Sequence, residues 1–379
     1  MKTAKSSQQI PAYSRYRRQT RLPEIGLEGQ EKLRSASVLV VGAGGLGCPA
    51  LLYLIAAGIG KIGIVDGDRV ELCNLHRQVL FSEKDVGELK SEIASRKLKN
   101  RNSDVKVTSH NFWLSNDNIM ETLAGYDIVI DGTDNFPTRY LINDACIFME
   151  KPFVYGSVYR FEGQLSLFND EQPDGTRGPN YRDLFPEPPP AELVPDCSDA
   201  GVMGVLPGII GTMQANEVIK WITGMDGLMN GRLLIFDAVQ SESQLVSIPK
   251  RIDNPVTGEN PSITRLIDYE QFCNPANGDG VDEISTKELK NWIKTGKDFR
   301  LIDVRQPEEF EVSHLGGELI PLEQIDYIAE SIRSDQPVVF YCRTGRRSAE
   351  AIRKLNPHVK FNNLYNLKGG MESWKRMSD

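Results

Sequence analysis

Short apolar runs alternate with longer amphipathic stretches through the first third of the chain. Residues 37–41 (SVLVV) are a mainly β-branched run, followed by a glycine cluster and then by the apolar stretch 48–57, long enough for a helix. Residues 61–65 (KIGIV) read as a second strand ending at Asp66. Further strands are expected at 105–108 and 127–130, with a helix over 90–100. This alternation predicts an α/β domain on a parallel, doubly wound sheet. Strands at 164–168 and 233–236 are read as antiparallel additions that make the sheet mixed. Between them, 169–198 is irregular, with PEPPP at 186–190, and a loop of that length inside a domain is usually functional. A helix with one apolar face follows at 209–223. Pro, Asn and Gly then crowd residues 251–282, so the limits are read as a domain 1–250, a linker 251–281 and a smaller α/β domain 282–379. The latter shows helices near 286–295, 327–333 and 347–355 and strands at 300–304 and 337–342.

The length of 379 residues fits two such domains. A formal charge of −8 gives no global attraction to nucleic acid or to an anionic membrane, and neither is expected as a partner. Met1 to Arg21 is polar and basic, without the apolar core of a secretory signal. The uncharged run 35–60 holds six glycines and a proline and reads as strand, turn and helix rather than a membrane span. The expectation is a soluble cytoplasmic enzyme whose cysteines are free thiols.

Gly42-Ala43-Gly44-Gly45-Leu46-Gly47 fits G-x-G-x-x-G between a strand and a helix. Absent side chains let backbone approach phosphate, and the helix N-terminus supplies amide donors. Asp66 ends the next strand, where an acid takes ribose hydroxyls. These features alone favour a dinucleotide and an NAD-dependent oxidoreductase, with a ligand-free turn as the bland alternative. Asn74, Arg77 and Gln78 in one short segment, and Lys90 after it, shift the balance. Cations beside a glycine turn suit a triphosphate, whose charge must be neutralised during attack. Asp134, in DGTDN at a strand's carboxyl end, offers an oxygen ligand for magnesium.

RYRRQ (15–19), VVGAGGLG, IVDGD (64–68), NLHRQ, GELK, DGTDN, CSDAGVMG and VLPGIIG occur in that order. Through them, roughly residues 10–250 resemble the MoeB/ThiF-like adenylyltransferases, relatives of ubiquitin-activating enzymes. The resemblance implies a Rossmann-like domain that uses ATP to adenylate the C-terminal glycine of a small ubiquitin-like sulfur carrier ending in Gly-Gly. It implies that Gly45 and Asp66 hold adenosine, and that Asn74, Arg77, Gln78 and Lys90 hold phosphates. Asp134 would ligate magnesium, and Arg18 would reach across a homodimer interface to the neighbour's ATP. A terminal carboxylate with a pKa of about 3.5 is already a nucleophile at neutral pH, so this reaction needs charge neutralisation and positioning rather than a general base.

The six cysteines are Cys48, Cys73, Cys146, Cys197, Cys273 and Cys342, and no two have C-x-x-C spacing. Many members of the resembled family carry two such pairs, which would fall at Asn180 and Asp183 and near 254–258. No zinc is therefore expected, and the long loop is read as held by packing or mobile. Cys48 and Cys146 lie in apolar helical patterns and read as core, Cys73 has no assigned role, and Cys273 reads as an exposed linker residue. Cys197 aligns with the family cysteine that accepts an acyl or sulfur group; a buried structural thiol is the alternative.

Cys342-Arg343-Thr344-Gly345-Arg346-Arg347-Ser348 follows an apolar strand and opens a helix. Such a turn aims amides and positive potential at the sulfur, and three arginines add to it, favouring a thiolate or persulfide anion. With Asp303-Val304-Arg305, Glu308-Glu309-Phe310, His314, Gly369-Gly370-Met371 and Trp374, residues of about 282–377 resemble a rhodanese sulfurtransferase domain. A cysteine phosphatase would place arginine six positions after its nucleophile; here that position is Ser348, which favours sulfur over phosphate. His314 reads as a structural hydrogen-bonding residue. Together the resemblances imply adenylation followed by sulfur transfer from Cys342, through an acyl-disulfide cleaved by Cys197 or through a Cys197 thioester. The product would be a thiocarboxylate of a molybdopterin, thiamin or tRNA thiolation type pathway, with sulfur from thiosulfate or a desulfurase. Rival readings are an enzyme that conjugates the carrier to proteins, the NAD oxidoreductase, and a non-catalytic scaffold.

Overall fold

Helices on both faces of the first sheet explain why its early strands read as continuous apolar runs. In the computed structural model, which describes residues 14–189, 201–273, 281–355 and 363–376, the chain divides into two compact units, Met1–Cys273 and Asn274–Asp379. In the first, α1 (Gly26–Ser35) precedes β1 (Ser37–Val41), and α2 (Gly47–Ala57) leads to β2 (Lys61–Val65). α3 (Lys90–Arg101), β3 (Lys106–His110), α4 (Ile119–Ala124) and β4 (Ile128–Asp131) follow. β1, β2, β3 and β4, with β5 (Phe153–Tyr159), pair in parallel. β6 (Glu162–Phe168), β7 (Arg232–Asp237) and β8 (Glu242–Ser247) add antiparallel, giving the order β3-β2-β1-β4-β5-β6-β7-β8. The mixed sheet expected from the sequence is therefore present.

One core joins the sheet to α2, α3 and a long helix, Val205–Thr223, through residues such as Leu51, Leu54, Ile93 and Val218. The other joins its opposite face to α4 and α5 (Phe136–Phe148) through Ile119, Leu123, Tyr140 and Ala145. Two further short helices, α6 (Tyr181–Leu184) and, after the long α7 (Val205–Thr223), α8 (Tyr269–Cys273), pack on this second side. No helix among the described residues is long and apolar enough to cross a membrane.

Two sequence readings change here. Residues 251–273 do not behave as a linker: Asn254 is 1% exposed, and the Tyr269 hydroxyl donates to Asp144 Oδ2 at 2.8 Å. Cys273 is half-buried against the second core, where burial pushes its thiol up to about 12. The segment from 169 is irregular as expected, yet its central part is pinned. Arg182, fully buried, makes two hydrogen bonds to Asp144, at 2.7 and 2.8 Å, and lies over the Tyr140 and Phe272 rings.

The second unit is a smaller parallel sheet. β9 (Asp282–Ile284) leads to α9 (Thr286–Thr295), opened by a Ser285/Glu288 capping box. β10 (Arg300–Asp303), α10 (Pro307–Val312), β11 (Glu318–Leu319), β12 (Val338–Tyr341), α11 (Arg346–Leu355), β13 (Leu364–Leu367) and α12 (Gly370–Arg376) complete it. The strand order is β11-β10-β12-β13-β9, all parallel. The helix expected near 327–333 is a 3-10 helix, Leu322–Ser331, lying earlier in the chain.

Candidate active site

β1 ends at Val41 and α2 begins at Gly47, so residues 42–46 turn the chain from the sheet edge into a helix. Gly42 has a φ of +91°, and a Cβ there would lie 2.7 Å from the Gly132 carbonyl oxygen. A Cβ at Gly47 would lie 1.8 Å from the Gly42 carbonyl oxygen, so both glycines are required by backbone contact. At Gly45 it would meet Pro207 at 2.9 Å and Arg77 Cδ at 3.5 Å, and at Gly44 it would lie 3.9 Å from Gln78 Nε2. Arg77 and Gln78 thus sit over the glycine turn.

Asp66 closes that turn: Oδ2 accepts the Ala43 N–H at 2.7 Å and Oδ1 accepts the Asp68 N–H at 2.8 Å. Burial pushes its carboxyl up, against the pull of Lys90 and these amides. Lys90, the first residue of α3, is buried and pairs with Asp68 at 2.6 Å. Burial draws its ammonium down, but Asp66, Asp68 and Asp134 outweigh this and hold it above the ordinary lysine value. Asn74, also buried, accepts the Arg77 and Gln78 N–H groups on its carbonyl at 3.1 and 3.0 Å. Gln78 is 3% exposed, and its Oε1 has no partner among the described residues, so it is open to a donor from a bound ligand or water. The structure therefore gathers Gly42, Gly44, Gly45, Gly47, Asp66, Asn74, Arg77, Gln78, Lys90 and Asp134.

Arg18 is not among them. Its neighbour Gln19 donates to the Ala57 carbonyl at 3.4 Å, at the far end of α2 from the glycine turn. An 11-residue helix is about 16 Å long. Cys197 lies outside the described residues. Two residues escaped the sequence reading. Asp68 is the partner of Lys90, and Arg139 pins the loop that carries Asp134. Arg139 Nε donates to buried Asp131 Oδ2 at 3.1 Å, and its Nη2 donates to the Thr133 and Gly156 carbonyls at 2.9 and 3.2 Å. The signal for it was Asp131 itself, a carboxylate ending an apolar strand, which requires a buried cation.

The positions matching the family's C-x-x-C pairs do not fit zinc. Asn180, Asp183, Asn254 and Thr257 bring no thiolate or imidazole, and they bond to one another. Asn254 Nδ2 donates to Asp183 Oδ1 at 2.8 Å, and Asn180 Nδ2 donates to Thr257 Oγ1 at 3.0 Å. The second Asp183 oxygen accepts the Asn180 N–H, and Asn254 Oδ1 accepts the Val256 and Thr257 N–H groups. A closed hydrogen-bond knot ties 254–257 to α6.

In the second unit Cys342 follows β12 and its loop enters α11. Gly345, at φ +91°, turns its N–H to Cys342 Sγ at 3.2 Å. Ser348 Oγ lies 3.4 Å from the same sulfur, and Cys342 is 1% exposed. The Cys342 carbonyl accepts the Met371 N–H at 2.9 Å, so α12 backs the loop. The three arginines do not act as a simple positive cluster. Arg347 makes two hydrogen bonds to Glu309, at 2.7 and 2.8 Å, and Arg343 bonds Glu372 at 2.9 Å. Burial pushes the Glu309 carboxyl up, but Arg347 and the Gln306 amide outweigh it and hold it below the ordinary range. His314 accepts the Gly316 N–H at 3.0 Å through Nδ1 and stacks on Phe310 at 4.1 Å.

Comparison with known proteins agrees with both units. Residues 16–256 match the ThiF family and residues 285–377 the rhodanese-like domain. The chain is 43% identical over 372 residues to the probable adenylyltransferase/sulfurtransferase MoeZ of Mycobacterium tuberculosis, covering 96% of this chain and 93% of that protein. It is 44% identical over 389 residues to the adenylyltransferase and sulfurtransferase MOCS3 of Culex quinquefasciatus, covering 97% and 88%. The sulfur carrier protein adenylyltransferase of Thermus thermophilus is 48% identical over 259 residues, covering 68% of this chain and 96% of that protein. A crystal structure of E. coli MccB with ATP aligns with a TM-score of 0.54 at 22% identity, over 65% of this chain and 73% of that one, a likeness of fold. By these matches the chain belongs to the ThiF family and carries a C-terminal rhodanese-like domain.

Proposed function

We propose that this protein adenylates the C-terminal carboxylate of a small ubiquitin-like sulfur carrier ending in Gly-Gly, and converts it to a thiocarboxylate with sulfur carried on Cys342. The relatives named adenylyltransferase and sulfurtransferase support both activities in one chain. The observation that carries the reading is the gathering of Arg77, Gln78 and Lys90 around the 42–47 turn, with a buried amide oxygen left without a partner.

ATP is the substrate of the first step. The carrier carboxylate attacks the α-phosphorus and pyrophosphate leaves, while Arg77 and Lys90 offset the developing charge. Asp134, in the loop pinned by Arg139, would hold magnesium, which supplies further neutralisation of phosphate charge. Arg18, at the far end of α2 from the turn of its own chain, serves a neighbour's site in a homodimer. Persulfide on Cys342 then attacks the acyl carbonyl and expels AMP, giving an acyl-disulfide. The Cys197 thiolate attacks Cys342 Sγ, releasing the thiocarboxylate and leaving a Cys197–Cys342 disulfide for an external dithiol to reduce. Such chemistry suits a reducing cytoplasm, with thiosulfate or a desulfurase as sulfur donor. ATP–pyrophosphate exchange against purified Gly-Gly carriers tests the first half: exchange with at least one is expected, and none with any would overturn it.

A further inference from the structure

Ser348 has one hydroxyl proton and two partners. Its Oγ lies 2.7 Å from Asn366 Oδ1 and 3.4 Å from Cys342 Sγ, and Ser348 and Asn366 are both buried. Asn366 Oδ1 can only accept, whereas a thiol can also donate, so Ser348 gives its proton to Asn366 and presents a lone pair to the sulfur. That arrangement suits a neutral thiol, whose S–H donates to Ser348 Oγ. It is wrong for an anion, which would meet an oxygen lone pair there and receive the Gly345 N–H at 3.2 Å.

We propose that Asn366 is a positioning residue for sulfur transfer, acting through Ser348 as a reversible hydrogen-bond relay. The proposal rests on the reading of Cys342 as the sulfur-carrying residue. In the neutral state the bonds run from Cys342 S–H to Ser348 Oγ and from Ser348 O–H to Asn366 Oδ1. When the sulfur becomes a thiolate or persulfide anion, its proton leaves to solvent. The Asn366 amide then turns over, Nδ2 donates to Ser348 Oγ, and the Ser348 O–H swings to the sulfur. A carboxamide offers donor and acceptor on one uncharged group, so it serves both states; a carboxylate serves only the first. Among the described residues, the charged groups around this loop are Arg343 with Glu372, Arg347 with Glu309, Arg346, the Asp303–Arg305 pair at the end of β10, and Lys368 after β13, paired with Glu283. All remain in every variant below.

The test is the rate of iodoacetamide alkylation at Cys342 in the full-length chain, read by peptide mass spectrometry over a pH series. Ser348→Thr, which keeps the hydroxyl, is expected to retain the wild-type profile. Ser348→Ala should move it up by about one pH unit, roughly tenfold slower at neutral pH. Asn366→Asp should slow alkylation at least as much with Ser348 present, and far less in the Ser348→Ala background, where only through-space charge remains. Equal slowing in the two backgrounds overturns the relay, as do identical profiles for Ser348→Ala and Ser348→Thr, a pair that tests the Ser348 limb independently; should Asn366→Asp fail to fold, Asn366→Leu, which removes both donor and acceptor, is read in the same two backgrounds. Sulfur uptake from thiosulfate or a desulfurase persulfide by the wild-type chain is measured alongside. A chain that alkylates normally at Cys342 yet takes sulfur from neither donor overturns the underlying reading, whereas failure of the variants to differ overturns the relay alone.

Discussion

The glycine turn at 42–47 and the cysteine loop at 342–348 share one local design: a parallel strand ends, the chain turns through a positive-φ glycine, and a helix begins. Their treatment of charge differs. Beside the first, Arg77 is held by the Cys73 carbonyl and the His76 ring, neither of them a carboxylate, while buried Lys90 is kept charged by Asp66 and by its pairing with Asp68. Beside the second, Arg343 and Arg347 already bond carboxylates. A site for a multiply charged phosphate keeps a cation in reserve, here Arg77. A site for one sulfur anion needs only aimed amides and hydroxyls, and its arginines fasten the loop to α10 and α12.

Substitutions can break this contrast. Cys342→Ala is expected to abolish thiocarboxylate formation while leaving ATP–pyrophosphate exchange at the wild-type rate; a parallel loss of exchange would show that the two loops do not act separately. Lys90→Ala should reduce exchange by about 10²–10³-fold, the usual scale for one preorganised electrostatic group, without changing Cys342 alkylation. Asp144→Ala strands the buried Arg182 and should destabilise the first unit by about 3–5 kcal/mol in denaturant unfolding, with 269–273 becoming protease-sensitive; a near-neutral effect would refute the lock.

Weaker effects probe how each loop is held. Asn254→Ala should cost about 1–3 kcal/mol through the orphaned Asp183 and Asn180 groups, and chelators should leave the wild-type melting temperature unchanged. A chelator-induced drop would show that metal, not the knot, fastens 254–257. The smallest effect concerns pH. Glu309 has a folded pKa below its unfolded value of about 4.3, so its stabilising contribution is full above that pH and fades as pH falls through the folded value. Glu309→Gln should therefore lose less melting temperature than wild type over that acidic interval, by a few degrees at most.

Much of this was legible from residue order. β1 and β2 occupy the expected residues because burial on both faces leaves uninterrupted apolar runs. β5 escaped because Gly156 and Ser157 interrupt its pattern, and of α5 only the apolar helical pattern around Cys146 was legible, because Arg139, Asn143 and Asp144 lie on buried positions. Two of those polar side chains find partners distant in sequence: Asn143 Oδ1 accepts the Tyr181 N–H at 2.8 Å, and Asp144 takes Arg182. The same limit explains the linker. A Pro- and Asn-rich composition describes 251–273 truly, but the pairing of Asn254 with Asp183, 71 residues away, exists only in the fold. At the cysteine loop the arginines could be counted but not their carboxylates, since Glu309 is 38 positions from Arg347. Gln78 was found by its motif, while Asn366 carried no signal beyond its place on β13.

The central claim is that one chain both activates a carboxylate and replaces its oxygen with sulfur. Intact-mass spectrometry of a Gly-Gly carrier, incubated with the protein, ATP, magnesium and a sulfur donor, tests it most directly. The account predicts a carrier whose mass rises by the exchange of one oxygen for sulfur with wild type, and unchanged carrier with Cys342→Ala although AMP still forms. Thiocarboxylate made equally well by Cys342→Ala, or ATP consumed by wild type with no sulfur gained from any donor, would contradict it.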